Sequence, residues 1–330
     1  MKKQGLRVLL TLSMAAALLT TGAAAALPET LVPVGSTVGI RLDADGLLVV
    51  GFDTTGNSAA EEAGVKKGDI IKTVNGLNAD DSAAFRQQLA QCGGRPLELT
   101  LERDGATQTV EVTPDATDDG YRLGVYLRDS MAGIGTVTYY DPATGSYGAL
   151  GHGVNELETM VLLPLEDGEI LPSSVAEVRK GISGTPGILK GAFNTSATLG
   201  TVSANTDHGI FGTADAPLSG GQALPVAKSS EVHTGKATFL CNVRNTSVEE
   251  YEIEITKLFG EDDGSGRNML LTVSHPRLLQ TTGGIVQGMS GSPILQDGKL
   301  VGAVTHVLVN DPTRGYGILM ENMLASAPAA

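Results

Sequence analysis

Short strand-like segments follow one another along the chain, separated by turn residues rather than by long helices. The clearest is Glu249–Leu258, where Tyr251, Ile253 and Ile255 alternate with polar, mostly charged residues. Side chains of a strand point alternately to its two faces, so this pattern predicts a strand with one buried face. The 43 glycines, 4% aromatic content and absence of tryptophan also favour a turn-rich β protein. Short strands without helical crossovers predict antiparallel sheets closed as barrels or sandwiches.

The length and charge of the chain limit its organisation and its partners. Its 330 residues suffice for two domains, each with its own core. The formal net charge of −14 argues against nucleic acid and anionic membrane surfaces as main partners. His208, His233 and His306 lack the spacing to cysteine, histidine or acid that a zinc site needs. We therefore expect neither a metal nor another cofactor.

The N terminus has the pattern of an export signal. Lys2, Lys3 and Arg7 form a basic segment, and the apolar run Val8–Leu19 follows it. Alanines up to Ala26 offer small-residue cleavage sites. Residues 1–26 are therefore predicted to be a signal peptide that directs the chain across a membrane. The alternative is an anchor that is not cleaved, because the apolar run extends over nearly a bilayer-spanning length.

Residues 34–114 are predicted to form the first domain, with several strands and two short helices. Asp81 is a predicted N-cap for a helix over Ser82–Cys92, which the following glycines end. The run A-G-V-K-K-G-D-I-I-K-T-V-N-G at Ala63–Gly76 resembles the PDZ domains of bacterial exported proteases. Domains of that kind bind an extended peptide beside an exposed strand.

The PDZ resemblance implies a peptide-binding groove. The N–H groups of Val38, Gly39 and Ile40 would bind a peptide terminus, and the terminus of this chain is one candidate. Phe85 and Leu89, one helical turn apart, would line the groove. For Leu89, filling the core of the domain is an equal alternative.

A polar linker at residues 114–120 is predicted to lead into a second domain, residues 121–330. Cys92 and Cys241 fall in different predicted domains, so a disulfide between them is left open but is not the default. Near the end of the second domain, Ser290 lies in the glycine-rich turn T-T-G-G-I-V-Q-G-M-S-G-S-P. A nucleophilic serine needs such a turn, because backbone N–H groups must converge on the oxygen that becomes negative during acyl transfer. The alternative is a surface loop joining two strands.

A histidine between two glycines, His152, ends another predicted strand. Such a histidine can reach a serine on a different strand and act as its general base. The alternative is a structural or solvated histidine.

Three segments together resemble one peptidase family. They are G-A-L-G-H-G-V at Gly148–Val154, G-I-V-Q-G-M-S-G-S-P-I at Gly284–Ile294 and T-H-V-L-V-N-D-P-T-R-G-Y-G-I at Thr305–Ile318. With the order of signal segment, PDZ domain and protease domain, they are similar to the stage IV sporulation protein B peptidases. The resemblance implies a mainly β chain, a PDZ domain followed by a chymotrypsin-like double β-barrel, acting as a serine endopeptidase. It also implies export from the forespore into the space between the two membranes. There the enzyme would cleave a regulator of the intramembrane protease complex that processes pro-sigma-K.

The same resemblance assigns catalytic roles. Ser290 matches the nucleophile and His152 the general base, and the N–H groups of Gly288 and Ser290 would form the oxyanion hole. Ser292 is a rival nucleophile, but it directly precedes Pro293 and lies beyond the glycine-framed turn.

The third catalytic position departs from the family pattern. The family has an Asp-Pro dipeptide there, whereas this chain has His275 before Pro276. An imidazole can accept the Nδ1–H of His152 but supplies no negative charge. The chain is therefore a weakened enzyme, an enzyme with another carboxylate, or a peptide-binding protein that has lost catalysis. A His275→Asp substitution is accordingly expected to raise turnover. The other acids considered are Glu156, Glu158, Asp207 and Asp311.

Overall fold

The computed structural model describes residues 28–56, 58–260 and 265–328, and most of these residues belong to strands. The predicted signal segment lies outside the described residues. Within the described ranges, no helix is both long and apolar enough to cross a bilayer. The helices are α1 Ala59–Glu62, α2 Ser82–Gln91, α3 Pro276–Thr282 and α4 Met320–Ala325.

The strands follow the turn-rich pattern of the sequence. The first ten are β1 Thr30–Pro33, β2 Thr37–Phe52, β3 Ile70–Val74, β4 Leu77–Asn78, β5 Leu97–Arg103, β6 Ala106–Val112, β7 Asp115–Thr117, β8 Gly120–Arg122, β9 Val125–Tyr140 and β10 Ser146–Ala149. The others are β11 Leu165–Arg179, β12 Ile188–Phe193, β13 Gly200–Thr206, β14 Gly209–Ala214, β15 Leu224–Pro225, β16 Gly235–Cys241, β17 Glu249–Leu258, β18 Met269–Val273, β19 Pro293–Gln296, β20 Lys299–Leu308 and β21 Asp311–Leu319.

Six strands close into a first barrel. β2 pairs with β9 and β11, and the ring continues through β13, β14 and β10 back to β9. Its core contains Leu42, Tyr147, Ile170 and Ile210, all fully buried. Closing the ring pairs both edges of each strand and leaves inward side chains to fill the interior.

A second barrel closes in the order β16, β17, β18, β21, β20, β19. The alternation predicted for Glu249–Leu258 is confirmed, because Tyr251, Ile253 and Ile255 of β17 are buried while the residues between them are exposed. β19 and β20 form a hairpin directly after the turn that contains Ser290. The predicted double β-barrel architecture is thus confirmed.

The smaller domain places α1 and α2 beside β3, β5 and β6 around its own core. α2 begins where the sequence predicts, because the Asp81 carboxylate accepts the N–H groups of Ala83 and Ala84. The helix ends before Gly93 and Gly94, which both have positive φ.

Two long strands, β2 and β9, belong to both the first barrel and the smaller domain. Thr37–Asp43 of β2 lies in the barrel, whereas Leu47 packs in the core of the smaller domain. Leu123 also packs in that core, beyond the linker predicted at residues 114–120, which instead contains most of the β7–β8 hairpin. The packing of the two units therefore crosses the predicted domain limits, which stay a prediction. Continuous strands, not a flexible linker, join the two units.

Both cysteines are free thiols and are buried. Cys92 lies in the core of the smaller domain and Cys241 in the core of the second barrel. The disulfide that the sequence left open is therefore not formed.

Candidate active site

Ser290 lies in the turn between α3 and β19. Gly288 and Gly291, on either side of it, have φ values of 100° and 95°, in the left-handed region that favours glycine. The hydroxyl of Ser290 is partly exposed and donates to the carbonyl of Thr305 at 2.7 Å. The rival Ser292 is fully buried and cannot reach a substrate. Of the two serines, only Ser290 is placed to act as a nucleophile.

Two backbone N–H groups of this turn have no hydrogen-bond acceptor among the described residues. Within the described chain, the N–H groups of Gly288 and Ser290 donate to no protein acceptor, whereas Met289 donates to Val286 and Gly291 to Val304. Uncommitted N–H groups beside a nucleophile are what an oxyanion hole requires. This arrangement is compatible with the predicted hole, which stays a prediction.

Thr136, fully buried on β9, holds the serine turn. Its N–H donates to the Ser290 carbonyl at 3.0 Å, and its hydroxyl donates to the Gly288 carbonyl at 2.8 Å. Its own carbonyl accepts the N–H of Leu150, two residues before His152, at 3.1 Å. One residue of the first barrel thus connects the serine turn with the histidine segment. Thr136 could not be identified from the sequence, because strand alternation carries no sign of a contact between barrels.

His152 follows β10 in a turn where Leu150 and Gly151 both have a φ of 70°. Its Nδ1 lies 2.8 Å from the Gly153 carbonyl. A carbonyl can only accept, so Nδ1 carries the hydrogen in this bond. In the neutral ring Nε2 then keeps the lone pair that a general base uses. The structure therefore presents His152 in the tautomer that the predicted mechanism needs.

β20 brings the histidine and the serine together. Thr305 accepts the Ser290 hydroxyl, and the next residue, His306, places its ring 5.0 Å from the His152 ring, measured between centroids. Within the described residues, Ser290 and His152 share no hydrogen bond, because the serine hydroxyl is directed to Thr305. Rotation about the Ser290 Cα–Cβ bond releases that hydroxyl, and such bonds often tighten only with substrate.

The structure places His275 away from this site. It caps the N terminus of α3, with its ring edge-on to Tyr251 at a centroid distance of 5.2 Å. β18 separates it from Gly266, where an added Cβ would lie 3.5 Å from the Gly151 carbonyl. The strand's five residues span roughly 16 Å. The third-member role predicted for His275 is therefore corrected: it lies at the opposite end of β18 from the His152 segment.

A consequence concerns the substitution His275→Asp. We now expect no gain in turnover, with kcat for a peptide substrate staying within about threefold of wild type. The new carboxylate would lie beside Tyr251, whose hydroxyl already donates to Glu249, and not beside His152. Steady-state kinetics, with thermal unfolding as a check on folding, measure this. A tenfold rise in kcat would return residue 275 to the catalytic site.

Glu156, one of the alternative acids, is committed to its own turn. It is 2% exposed, and its carboxylate accepts the N–H groups of Glu158 and Thr159. Burial alone would raise its pKa, but these hydrogen bonds and the nearby Arg128 guanidinium hold the pKa below its ordinary value.

The other acids give His152 no carboxylate partner within the described residues. Asp311 accepts from Thr313, and Glu158 is exposed, 3.9 Å from Lys67. Asp207 is exposed, and only its backbone carbonyl meets the segment, by accepting the Gly153 N–H at 3.2 Å. The group that orients His152 in this structure is the Gly153 carbonyl.

The environment of His152 predicts its pH dependence. Burial lowers the pKa of His152 below its ordinary value, and burial together with His152 and Arg267 lowers the pKa of His306 to about 4. Only a neutral His152 can accept the serine proton, so a lowered pKa extends activity to more acidic solutions. We expect the acidic limb of kcat/KM to lie below about pH 6.5. A limb at or above that value, in a pH series of initial rates, would contradict the placement of His152.

The predicted PDZ terminus-binding loop is wrong. Val38, Gly39 and Ile40 lie inside β2, where Gly39 pairs with Ile134 on one side and with Leu171 on the other. A strand paired on both edges has no N–H groups left for a peptide. Phe85 is 5% exposed and packs in the core of the smaller domain rather than lining a groove.

The open strand edge of the smaller domain lies instead on β9. Among the described strands, β2 is the one partner of β9 from Val125 to Asp129, and the pairing of β9 with β10 and β1 begins at Val137 and Tyr139. α2 lies beside this segment, and the Ser82 N–H donates to the Asp129 carboxylate at 2.9 Å. Leu89 is half-buried and packs against this core. Gly124, which directly precedes this edge, has a φ of 66°. A glycine before a strand is the sign by which the edge could have been identified in the sequence.

Comparison with known proteins gives partial matches along the chain. LL2128 of Lactococcus lactis, named as a zinc metalloprotease, is 30% identical over 98 residues, which are 30% of this chain and 22% of that protein. A periplasmic serine protease of the do/HhoA-like type from Haemophilus influenzae is 42% identical over 62 residues, 18% of this chain and 13% of that protein. The chain thus spans less than a quarter of the length of these two curated relatives.

Two solved structures are also similar in part. The inactive form of the Rv3671c protease of Mycobacterium tuberculosis is 14% identical, with a TM-score of 0.35, over 60% of this chain and 85% of that one. The PDZ domain of an SdrC-like protein from Listeria monocytogenes is 17% identical, with a TM-score of 0.22, over 25% of this chain and 87% of that one.

Family models cover nearly all of the described chain. A PDZ domain model matches residues 36–113, and the model of the SpoIVB peptidase S55 family matches residues 119–324. The second match contains the serine turn, the histidine turn and β20, whose Thr305 and His306 contact the two turns. It also spans more than half of the chain. The chain therefore belongs to the SpoIVB peptidase S55 family of serine peptidases and carries a PDZ domain ahead of its peptidase domain.

Proposed function

We propose that the chain is a serine endopeptidase in which Ser290 is the nucleophile and His152 the general base. The observation that carries this is the meeting of the two turns on β20, with two uncommitted N–H groups beside the serine. His152 Nε2 takes the hydroxyl proton as Ser290 Oγ attacks the peptide carbonyl, and then returns it to the leaving amine. The N–H groups of Gly288 and Ser290 stabilise the oxyanion.

Hydrolysis of an unfolded protein tests this proposal. Purified chain is incubated with fluorescently labelled, denatured casein, beside Ser290→Ala and His275→Ala variants. We expect release of fluorescent fragments by the wild type and by His275→Ala, and none by Ser290→Ala. Equal hydrolysis by Ser290→Ala would mean a contaminating protease or another nucleophile. No hydrolysis by any of the three would favour the alternative, a peptide-binding protein that kept the peptidase fold.

For the biological substrate, we propose a regulator of the intramembrane protease complex that processes pro-sigma-K during sporulation. Membership of the S55 family and the export signal read from residues 1–26 support this role and the space between forespore and mother-cell membranes. A spore-forming bacterium lacking its own S55 peptidase gene provides the test. Expression of the chain should restore the shortening of pro-sigma-K on an immunoblot, and Ser290→Ala should not. Full-length pro-sigma-K with active wild-type chain present would refute the role.

We further propose that the PDZ domain binds an extended peptide along the open edge of β9, at Val125–Asp129. An unpaired strand edge beside a helix is where such domains add a peptide strand. The C terminus of the chain is one candidate ligand. Calorimetric titration of a peptide with the sequence of residues 321–330 into Ser290→Ala protein tests this, with the C-terminally amidated peptide as control. Binding that survives amidation equally well would contradict capture of a free terminus.

A further inference from the structure

We infer that the peptidase domain carries a subsite for an acidic side chain of its substrate, built from Lys257, Phe259, Arg267 and Tyr316. A cavity of about 510 Å³ lies at this place on the second barrel. Its lining contains two cations and, among described residues, no carboxylate. This inference rests on the proposed function, because it concerns the substrate of the same active site.

The cavity opens on the face that carries the catalytic histidine. Tyr316 on β21 pairs directly with His306 on β20, so their side chains share a face of the sheet. The ring of His306 in turn lies against His152. The subsite is therefore one strand away from the residue that contacts the general base.

Aromatic rings hold the two cations at the cavity. The Arg267 guanidinium lies 5.3 Å from the centre of the Tyr316 ring, and the Lys257 ammonium lies 4.7 Å from the centre of the Phe259 ring. The two rings are 6.3 Å apart, so they place both cations at one site. No described carboxylate forms an ion pair with either cation. Cations that stack on aromatic rings and form no ion pair within the described ranges can bind a carboxylate that enters the cavity.

An extended substrate would pass this cavity. Among the described strands, β19 pairs with β20 as far as Ala303, and the serine turn then bonds to Val304 and Thr305. Beyond them, His306–Leu308 has no described strand partner on that side. A peptide strand added there places alternate side chains on the face of His306 and Tyr316. One of those side chains then lies where the two cations are.

Charge argues for an acidic occupant rather than an apolar one. The chain has 23 basic and 37 acidic residues, so its overall field repels acidic peptides. Lys257 and Arg267, which have no carboxylate partner among the described residues, oppose that field locally and select the acidic side chain at one position.

A set of internally quenched peptides tests the subsite. The peptides share one sequence, and each of the four positions on either side of the cleaved bond is set in turn to Glu, Gln or Lys. For wild-type chain we expect one position where Glu exceeds Gln in kcat/KM by about fivefold or more. Arg267→Gln should remove the preference, and Arg267→Glu should reverse it in favour of Lys. Arg41→Gln, at a surface ion pair with Glu169 on the first barrel, is the matched control and should leave it unchanged.

The outcomes separate this inference from the proposed function. Ser290-dependent cleavage with equal rates for Glu and Gln at every position, or a preference that survives Arg267→Glu, would overturn the subsite and leave the peptidase intact. Absence of Ser290-dependent cleavage of every peptide would refute both. Glu261, Asp262 and Asp263 lie outside the described residues, and a variant with all three as amides should keep the preference. If the preference for Glu appeared only in that variant, Lys257 and Arg267 would be partners of the acidic residues 261–263, and the subsite would be overturned.

Discussion

Replacing Ser290 with alanine is expected to lower kcat for a peptide substrate by a factor of about 10⁶, and His152→Ala by a similar factor. The two groups act as one unit, because the imidazole is useful only when it removes the proton of that hydroxyl. The double variant should therefore lose little more than either single variant. Steady-state rates with a cleaved quenched peptide measure all three.

Ser292→Ala is the matched control for these losses. Its side chain is fully buried two residues away, so activity should stay within about threefold of wild type. Two results would contradict the assignment. One is a decrease in kcat by a factor of about 10⁶ in Ser292→Ala. The other is losses in Ser290→Ala and His152→Ala that multiply in the double variant, since independent effects would mean that the two residues do not cooperate.

The second large effect concerns Gly291→Ala. A Cβ at this position would lie 2.0 Å from the Thr136 carbonyl and 2.5 Å from the Leu150 nitrogen, and the residue has a φ of 95°. Neither backbone atom can move without breaking the contacts between the serine turn and β9. We expect a loss of about 3 to 5 kcal/mol in the free energy of unfolding, measured by urea denaturation in the Ser290→Ala background to prevent self-cleavage.

Gly298→Ala separates strain from crowding. Gly298 has a φ of 75° at the tip of the β19–β20 hairpin, and an added Cβ there would meet nothing within 4 Å. Its substitution should cost only about 1 kcal/mol, because the positive φ is the sole penalty. Equal costs for the two variants would mean that the packing around Gly291 is looser than the structure has it.

The architecture could be predicted because local pattern and tertiary burial agree in most strands. In β17 the alternation of Tyr251, Ile253 and Ile255 both forms the strand and faces the core. In α2 the Asp81 cap and the glycines after Gln91 set both ends. Where the local pattern of a segment agrees with its burial in the fold, the sequence is sufficient to predict the secondary structure of that segment and its buried face.

The PDZ groove could not be predicted, because pairing partners decide which strand edge is open. Residues Thr37–Ile40 have the composition of an edge strand or of a central strand, and only the pairing with β9 and β11 distinguishes the two. β2 and β9 run from one unit into the other, so the polar segment at residues 114–120 does not show which strands the two units share.

For a similar reason, the sequence marks only part of the candidate active site. Ser290 and His152 are marked by neighbouring glycines, whose need for unusual backbone shows in the sequence. His275 was assigned a role because it occupies the position of the family's Asp-Pro dipeptide. A position along the chain does not determine the distance to His152 in space. The Gly153 carbonyl acts through a backbone contact, which any residue type can make, and the Thr136 hydroxyl bonds to a turn 152 residues away, so the sequence holds no signal for either.

Covalent labelling tests most directly whether an imidazole from one barrel activates a hydroxyl from the other. The folded chain is treated with a fluorophosphonate and digested, and the modified residue is found by mass spectrometry. We predict one adduct, on Ser290 in the wild type, and none in His152→Ala. An adduct on another residue, undiminished labelling in His152→Ala, or no labelling of folded wild-type protein would contradict the account.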